Sequence, residues 1–217
     1  MVTLDAYPVN LNIKDKNCIV VGGGNVAERK VKSLLKAKAL LTVVSPTLTP
    51  TLQDLVIEKK INYIARNYQA GDLKGCFLVI CATDNKEINK TVAEEADALG
   101  LLFNVIDDSK ESNFTVPAVI KRADLILTVS TNGKSPAVSR QIKEELSQMY
   151  GDEYGSFLKL IAKYRQELKY RVKNSKEREN FWRENMNKDI LTLLKDGRLN
   201  EAEAKIKDAI GSFGAKS

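Results

Sequence analysis

Up to about residue 106 the chain alternates short apolar runs with amphipathic segments. The runs Cys18–Val21, Leu40–Val44, Ile61–Ala65, Phe77–Ala82 and Leu102–Ile106 are apolar almost throughout, without a polar alternation. Between them, Val26–Lys36, Thr49–Glu58 and Lys86–Leu99 carry apolar residues at helical spacing. Strands that lack alternation are buried on both faces, and strands spaced by helices lie parallel. The pattern predicts an α/β fold, a parallel sheet with helices on both sides. After Ser112 it changes. Phe114–Ile120 and Leu125–Ser130 are β-prone runs flanking Lys121-Arg-Ala-Asp124, which predicts a hairpin-like pair. Ser135-Pro136 reads as an N-cap followed by proline at the first helical position, opening a helix through about Met149. Tyr154–Lys173, Lys176–Leu194 and Asn200–Ile210 predict three further helices. The expected organisation is a sheet domain over 1–112, a small mixed α+β region over 113–149 and a helical domain over 150–217.

The first strand breaks into Gly22-Gly-Gly24 and a helical pattern starts at once, giving Gly22-x-Gly24-x-x-Ala27. This is the form of a dinucleotide-binding turn. Gly22 permits a tight turn, Gly24 has no Cβ to keep a pyrophosphate away, and Ala27 lets the helix pack close to the sheet. The helix N-terminus then offers N–H groups and a positive partial charge to phosphates. The acid that normally holds the ribose some 20 residues later is missing, since the second strand ends in Ser45-Pro46-Thr47. No Arg or Lys follows that strand either, so the residues alone leave NAD and NADP open.

Composition narrows the chemistry. The chain has 217 residues and no histidine, which removes His-based acid–base catalysis, His triads and His metal sites. Cys18, Cys76 and Cys81 show no C-x-x-C spacing and read as reduced core thiols, so no metal site is expected. The N-terminus lacks the pattern of a signal peptide, and no apolar run approaches membrane-spanning length. The expectation is a cytoplasmic protein with no membrane partner. The net charge of +6 is lopsided: cations and acids balance through Ser112, and the whole excess lies beyond it. Much of it falls between Lys159 and Arg183, nine basic residues against three acidic. That asymmetry fits a polyanionic partner or a solvated helical face.

The ordered set Val21-Gly-Gly-Gly-Asn-Val-Ala-Glu-Arg-Lys30, Cys81-Ala-Thr-Asp84, Phe103-Asn-Val-Ile-Asp107, Asn113-Phe-Thr-Val-Pro117, Val129-Ser-Thr-Asn-Gly-Lys-Ser-Pro136 and Arg178-Glu-x-Phe-Trp182 resembles the precorrin-2 dehydrogenase family. That family includes the dehydrogenase part of siroheme synthase, and the likeness covers nearly the whole chain. The resemblance implies NAD-dependent oxidation of the tetrapyrrole precorrin-2 to sirohydrochlorin. It also implies a Rossmann domain, a central dimerisation region forming a homodimer, and a helical C-terminal part. Some members also insert ferrous iron. By the resemblance Asn25, Val26, Pro46 and Thr47 touch the cofactor, Thr83 and Asp84 line its crevice, and Asp107 stands where the family carries its essential aspartate. Position also favours Asp107, at the C-terminal end of a parallel strand, although Asp108 is a competing carboxylate. The loop Ser130–Ser135 offers backbone N–H groups to the carboxylates of precorrin-2 or simply caps the next helix; Thr131 stands where some siroheme synthases carry a modified serine. A competing function is an NAD-sensing module whose basic helical tail binds nucleic acid. The chain shows no recognisable reader motif and no aromatic residues interleaved with the basic run, so no nucleic-acid partner is expected.

Overall fold

The computed structural model describes residues 6–106, 108 and 110–213, which form two compact units dividing between Val116 and Pro117. In the first, five parallel strands, β1 (Asn17–Val21), β2 (Leu40–Val44), β3 (Asn62–Ile64), β4 (Leu78–Cys81) and β5 (Leu102–Val105), are ordered β3-β2-β1-β4-β5. Helices α1 (Asn25–Lys36), α2 (Pro50–Ile57) and α3 (Lys86–Ala98) connect them. The absence of alternation in the strands has the expected cause. Val20, Val43 and Ile80 pack into one core with Val31 and Leu52, while Ile19, Val21 and Val79 pack into another with Val92 and Ala96. Each fully buried aliphatic side chain stabilises the fold by about 1.5–3 kcal/mol.

The free edge of β5 is covered by the chain that follows it. Asn113 Oδ1 accepts from Phe103 N (2.8 Å) and Asn113 Nδ2 donates to Leu101 O (2.7 Å). Ser112 Oγ accepts from Val105 N (2.9 Å) and donates to Asp108 O (2.7 Å). These bonds satisfy backbone groups that an open edge strand would leave bare. Cys18 and Cys81 are buried in the sheet, and all three cysteines are free thiols. Burial pushes the Cys18 thiol up to about 11 and that of Cys81 up to about 12, so both are neutral.

The second unit is an antiparallel hairpin, β6 (Ala118–Arg122) and β7 (Leu125–Val129), followed by α4 (Pro136–Met149), α5 (Asp152–Arg171), α6 (Ser175–Asn185), α7 (Lys188–Lys195) and α8 (Leu199–Phe213). Ser135 Oγ caps α4 at Val138 N as expected. The single helix expected over Lys176–Leu194 is instead two. Asn187 Oδ1 accepts from Asp189 N and Ile190 N, starting α7 afresh and offering the backbone an alternative to continuing α6. Phe157, Leu168, Phe181, Ile190, Leu194 and Ile206 form the core of this unit. Among the described residues no helix is long and apolar enough to cross a membrane.

Gly155 lets α5 lie against the hairpin turn, because a Cβ there would sit 2.5 Å from Arg122 O. Gly→Ala inside an open helix normally stabilises by about 0.8–1 kcal/mol. Here Gly155→Ala should destabilise by about 1–3 kcal/mol, the cost of overpacking. A urea midpoint at or above that of the parent chain would refute this close approach.

Candidate functional site

The sheet order places the topological switch between β1 and β4, where the chain leaves toward opposite sides. A cleft of about 670 Å³ lies at the C-terminal ends of these strands. All eight residues that the sequence singled out for the cofactor, Gly22, Gly24, Asn25, Val26, Pro46, Thr47, Thr83 and Asp84, line it. Three chain segments bring them together, the glycine turn, the loop after β2 and the β4–α3 connection, and the loop after β3 completes the lining.

The glycine turn carries one requirement that the motif does not state. Gly22 has φ +119°, and a Cβ on it would meet Ala82 O at 2.3 Å. Gly23 is demanded by close approach as well, since a Cβ there would lie 1.9 Å from Thr47 O and 2.8 Å from Ser45 Oγ. Nothing lies within 4 Å of a Cβ built on Gly24, which faces open cleft. The loop after β2 is thus seated directly on the turn. Thr49 N donates to Gly23 O (3.0 Å), and Thr49 Oγ1 donates to Glu28 Oε2 (2.7 Å). The hydrogen bond from Lys32, and then that from Thr49, holds the Glu28 carboxyl below the usual carboxylate range.

Thr83 is fixed by Asn89: its Oγ1 donates to Asn89 Oδ1 (2.6 Å), and Asn89 Nδ2 returns a bond to Thr83 O (3.1 Å). Asn85 caps α3 at Glu87 N and Ile88 N. Sequence reasoning missed Asn67 and Tyr68, which form the wall after β3. Tyr68 Oη donates to Glu95 Oε2, and the same carboxylate accepts from Gly71 N (3.0 Å), tying this loop to α3. Burial, reinforced by Glu95, raises the Tyr68 phenol, so it remains a neutral donor. The signal for these residues was topological, since the loop after β3 opens on the same edge of the sheet as the other cleft loops.

These residues fit a dinucleotide. The first intrahelical bond of α1 is Glu28 N to Gly24 O (2.9 Å), so the N–H groups of Asn25, Val26 and Ala27 precede it. Gly24 caps the helix without a side-chain hydrogen bond. The start of α1 therefore offers donors and a positive partial charge to a pyrophosphate. The lining residues include one acid, Asp84, and no Lys or Arg.

Asp107 lies outside the described residues. Its neighbour Asp108 is exposed, and its Oδ1 accepts from Lys110 N (3.0 Å) and Glu111 N (3.3 Å), the work of a turn-forming carboxylate. In the second unit Thr131 Oγ1 accepts from Ser135 N (3.1 Å) and lies 3.0 Å from Ser139 Oγ, bracing the loop before α4. Among the described residues no cluster of Cys, Asp or Glu could hold a metal ion.

The fold and cleft define a Rossmann-type nucleotide-binding protein, and comparison with known proteins agrees. Residues 9–118 match a family described as "Putative NAD(P)-binding". Residues 124–149 match the sirohaem biosynthesis protein central region, and residues 153–210 match the sirohaem synthase dimerisation region. The siroheme synthase of Photorhabdus laumondii is 33% identical over 95% of this chain, and that of Methylobacillus flagellatus 36% over 82%. The chain covers 44% and 38% of those proteins, under half of their length. The solved structure of SirC, a precorrin-2 dehydrogenase, superposes with a TM-score of 0.76 at 27% identity, covering 92% of this chain and all of that one. The chain belongs to the putative NAD(P)-binding family, and over nearly its whole length it is similar to SirC and to the corresponding part of siroheme synthases.

The geometry separates stability from binding at adjacent glycines. Gly24→Asp adds a favoured N-cap residue in open space, so stability should hold or rise by a few tenths of a kcal/mol. Dinucleotide binding should be lost, because a carboxylate would occupy the pyrophosphate position. Gly23→Ala should instead cost about 1–3 kcal/mol of stability. Calorimetry showing undiminished NAD affinity in Gly24→Asp would refute the placement.

Proposed function

We propose that this chain oxidises precorrin-2 to sirohydrochlorin with NAD as the oxidant, on the route to siroheme. The observation that carries the reading is the cleft at the β1–β4 switch, where the glycine turn, the loop after β2 and Thr83-Asp84 meet. Gly22, Gly24, Asn25 and Val26 hold the pyrophosphate through backbone groups, and Pro46 and Thr47 border the ribose. With no cation in the lining, a 2′-phosphate gains no partner, which favours NAD over NADP. Bound nicotinamide supplies the hydride acceptor. The balance is one hydride to NAD and one proton released, leaving sirohydrochlorin and NADH. Asp107 accepts that proton, while Asp108, engaged with Lys110 N and Glu111 N, shapes the turn. The free neutral thiols and the soluble cofactor support a cytoplasmic location.

Asp107→Asn keeps the shape and removes the base. NAD binding should survive and sirohydrochlorin formation should fall by about 10²–10⁴-fold. Asp108→Asn should be milder. Normal turnover in Asp107→Asn beside a dead Asp108→Asn would move the role to the neighbour, and activity in both would mean that the enzyme works by positioning.

The chain also forms a homodimer in this reading. Val138, Ile142 and Met149 recur on one face of α4 and remain 45%, 38% and 48% exposed, and Val119 and Ile126 on the hairpin are 40% and 47% exposed. An apolar stripe of this kind calls for burial, and a second copy supplies it symmetrically. The match of residues 153–210 to a dimerisation region adds the helical part to the segment 113–149 that the sequence pointed to. Light scattering should give twice the chain mass at micromolar concentration; a monomer would overturn the assignment.

A further inference from the structure

Part of the cationic excess of the second unit is gathered at one groove. A groove of about 530 Å³ runs between α5 and α6, lined by Arg165, Gln166 and Lys169 from the first helix and Ser175, Arg178, Glu179 and Trp182 from the second. Arg165 and Lys169 stand four residues apart on α5, where like charges repel. Arg171 on the same helix is paired with Glu167, whereas Arg165 and Lys169 make no ion pair or hydrogen bond among the described residues. Arg178 is fixed before any ligand arrives: its Nη1 donates to Val172 O and Lys173 O, both at 2.7 Å. Its Nε and Nη2 have no acceptor among the described residues. A guanidinium held in place loses little freedom on binding a carboxylate. Trp182, the chain's one tryptophan, packs edge-on against Phe181 with centroids 5.1 Å apart, which sets the ring at the groove wall. Three cations face one acid, Glu179. That balance suits an anion with several carboxylates on an apolar body better than a single small anion.

We propose that this groove binds a polycarboxylate macrocycle, with Arg165, Lys169 and Arg178 as its carboxylate contacts and Trp182 against its face. The ligand class rests on the function proposed above, since precorrin-2 and sirohydrochlorin are both tetrapyrroles rich in carboxylates. Two anions probe the site in the full chain. Uroporphyrin I, a stable tetrapyrrole with eight carboxylates, reads affinity through its own fluorescence anisotropy. Benzenehexacarboxylate, which lacks visible absorption, reads local binding through a change in Trp182 emission. Arg165→Ala/Lys169→Ala should weaken uroporphyrin binding at least tenfold and abolish the emission change, while the mass by light scattering stays that of the parent chain, which separates loss of the groove from loss of the dimer. Lys159→Ala/Lys163→Ala removes the same charge from the same helix outside the groove, and should change affinity by less than twofold. Equal losses in the two double variants, or wild-type affinity in the first, would overturn the groove. Precorrin-2 turnover by the parent chain is measured alongside: its absence would overturn the dehydrogenase reading, while the anion titrations still decide the groove on their own.

Discussion

The first unit depends on one contact between backbones: Thr47 O lies where a Cβ of Gly23 would be. Two loops, one leaving β1 and one leaving β2, can touch this closely only if neither brings a side chain to the contact. The hydrogen bond from Thr49 N to Gly23 O then locks them in register, and Thr49 Oγ1 on Glu28 joins the same loop to α1. Gly22 makes the matching contact on the other side, against Ala82 O. The turn is therefore clamped between the loops after β2 and β4. Because the clamping contacts fall on Gly22 and Gly23, Gly24 and the start of α1 remain open to the cleft. Positioning of the donors and freedom to receive a ligand come from neighbouring residues with opposite requirements.

That clamp bears on the missing ribose acid. Ser45 is almost wholly buried, and its N donates to Ile64 O at the end of β3. The end of β2 is thus occupied by backbone contacts with β3 and with the glycine turn. A small polar residue fits at Ser45, where a long carboxylate would have to displace one of those contacts. Discrimination between cofactors then falls to the charge of the lining as a whole, which contains no cation to reward an extra phosphate.

Much of this was legible in the chain. Strands buried on both faces announce themselves as unbroken apolar runs, and the parallel order follows from the helices between them. Of the eight residues at the cleft, Gly22 and Gly24 could be read from the glycine motif and the other six from the family resemblance; the structure gathers them because loops after parallel strands converge on one edge. Three features were not legible, each for a physical reason. The need for glycine at Gly23 depends on a neighbouring loop 24 residues away, which no local spacing encodes. Tyr68 sits in a polar stretch with no periodicity, and its place at the cleft is fixed by the bond to Glu95 across to α3. The break between α6 and α7 turns on Asn187, a residue tolerated inside a helix and favoured before one, so its spacing alone cannot decide between them.

The two units carry their charge differently. In the first, cations and acids balance, and the cleft lining relies on N–H groups at a helix start rather than on charged side chains. Such donors suit a pyrophosphate whose position must be the same each time, because they belong to the backbone of a helix start rather than to a rotatable side chain. In the second, several cations are neutralised along their own helices, as Arg140 is by Glu144, Arg171 by Glu167 and Arg198 by Glu201. If solubility alone had shaped the rest, the same pairing one turn away would have been available to Arg165 and Lys169. Instead the position four residues from Arg165 is another cation, and a pinned guanidinium stands with them in the groove. Charges kept together against their own repulsion are stabilised once an anion arrives, so the groove gains most from a ligand with more than one carboxylate.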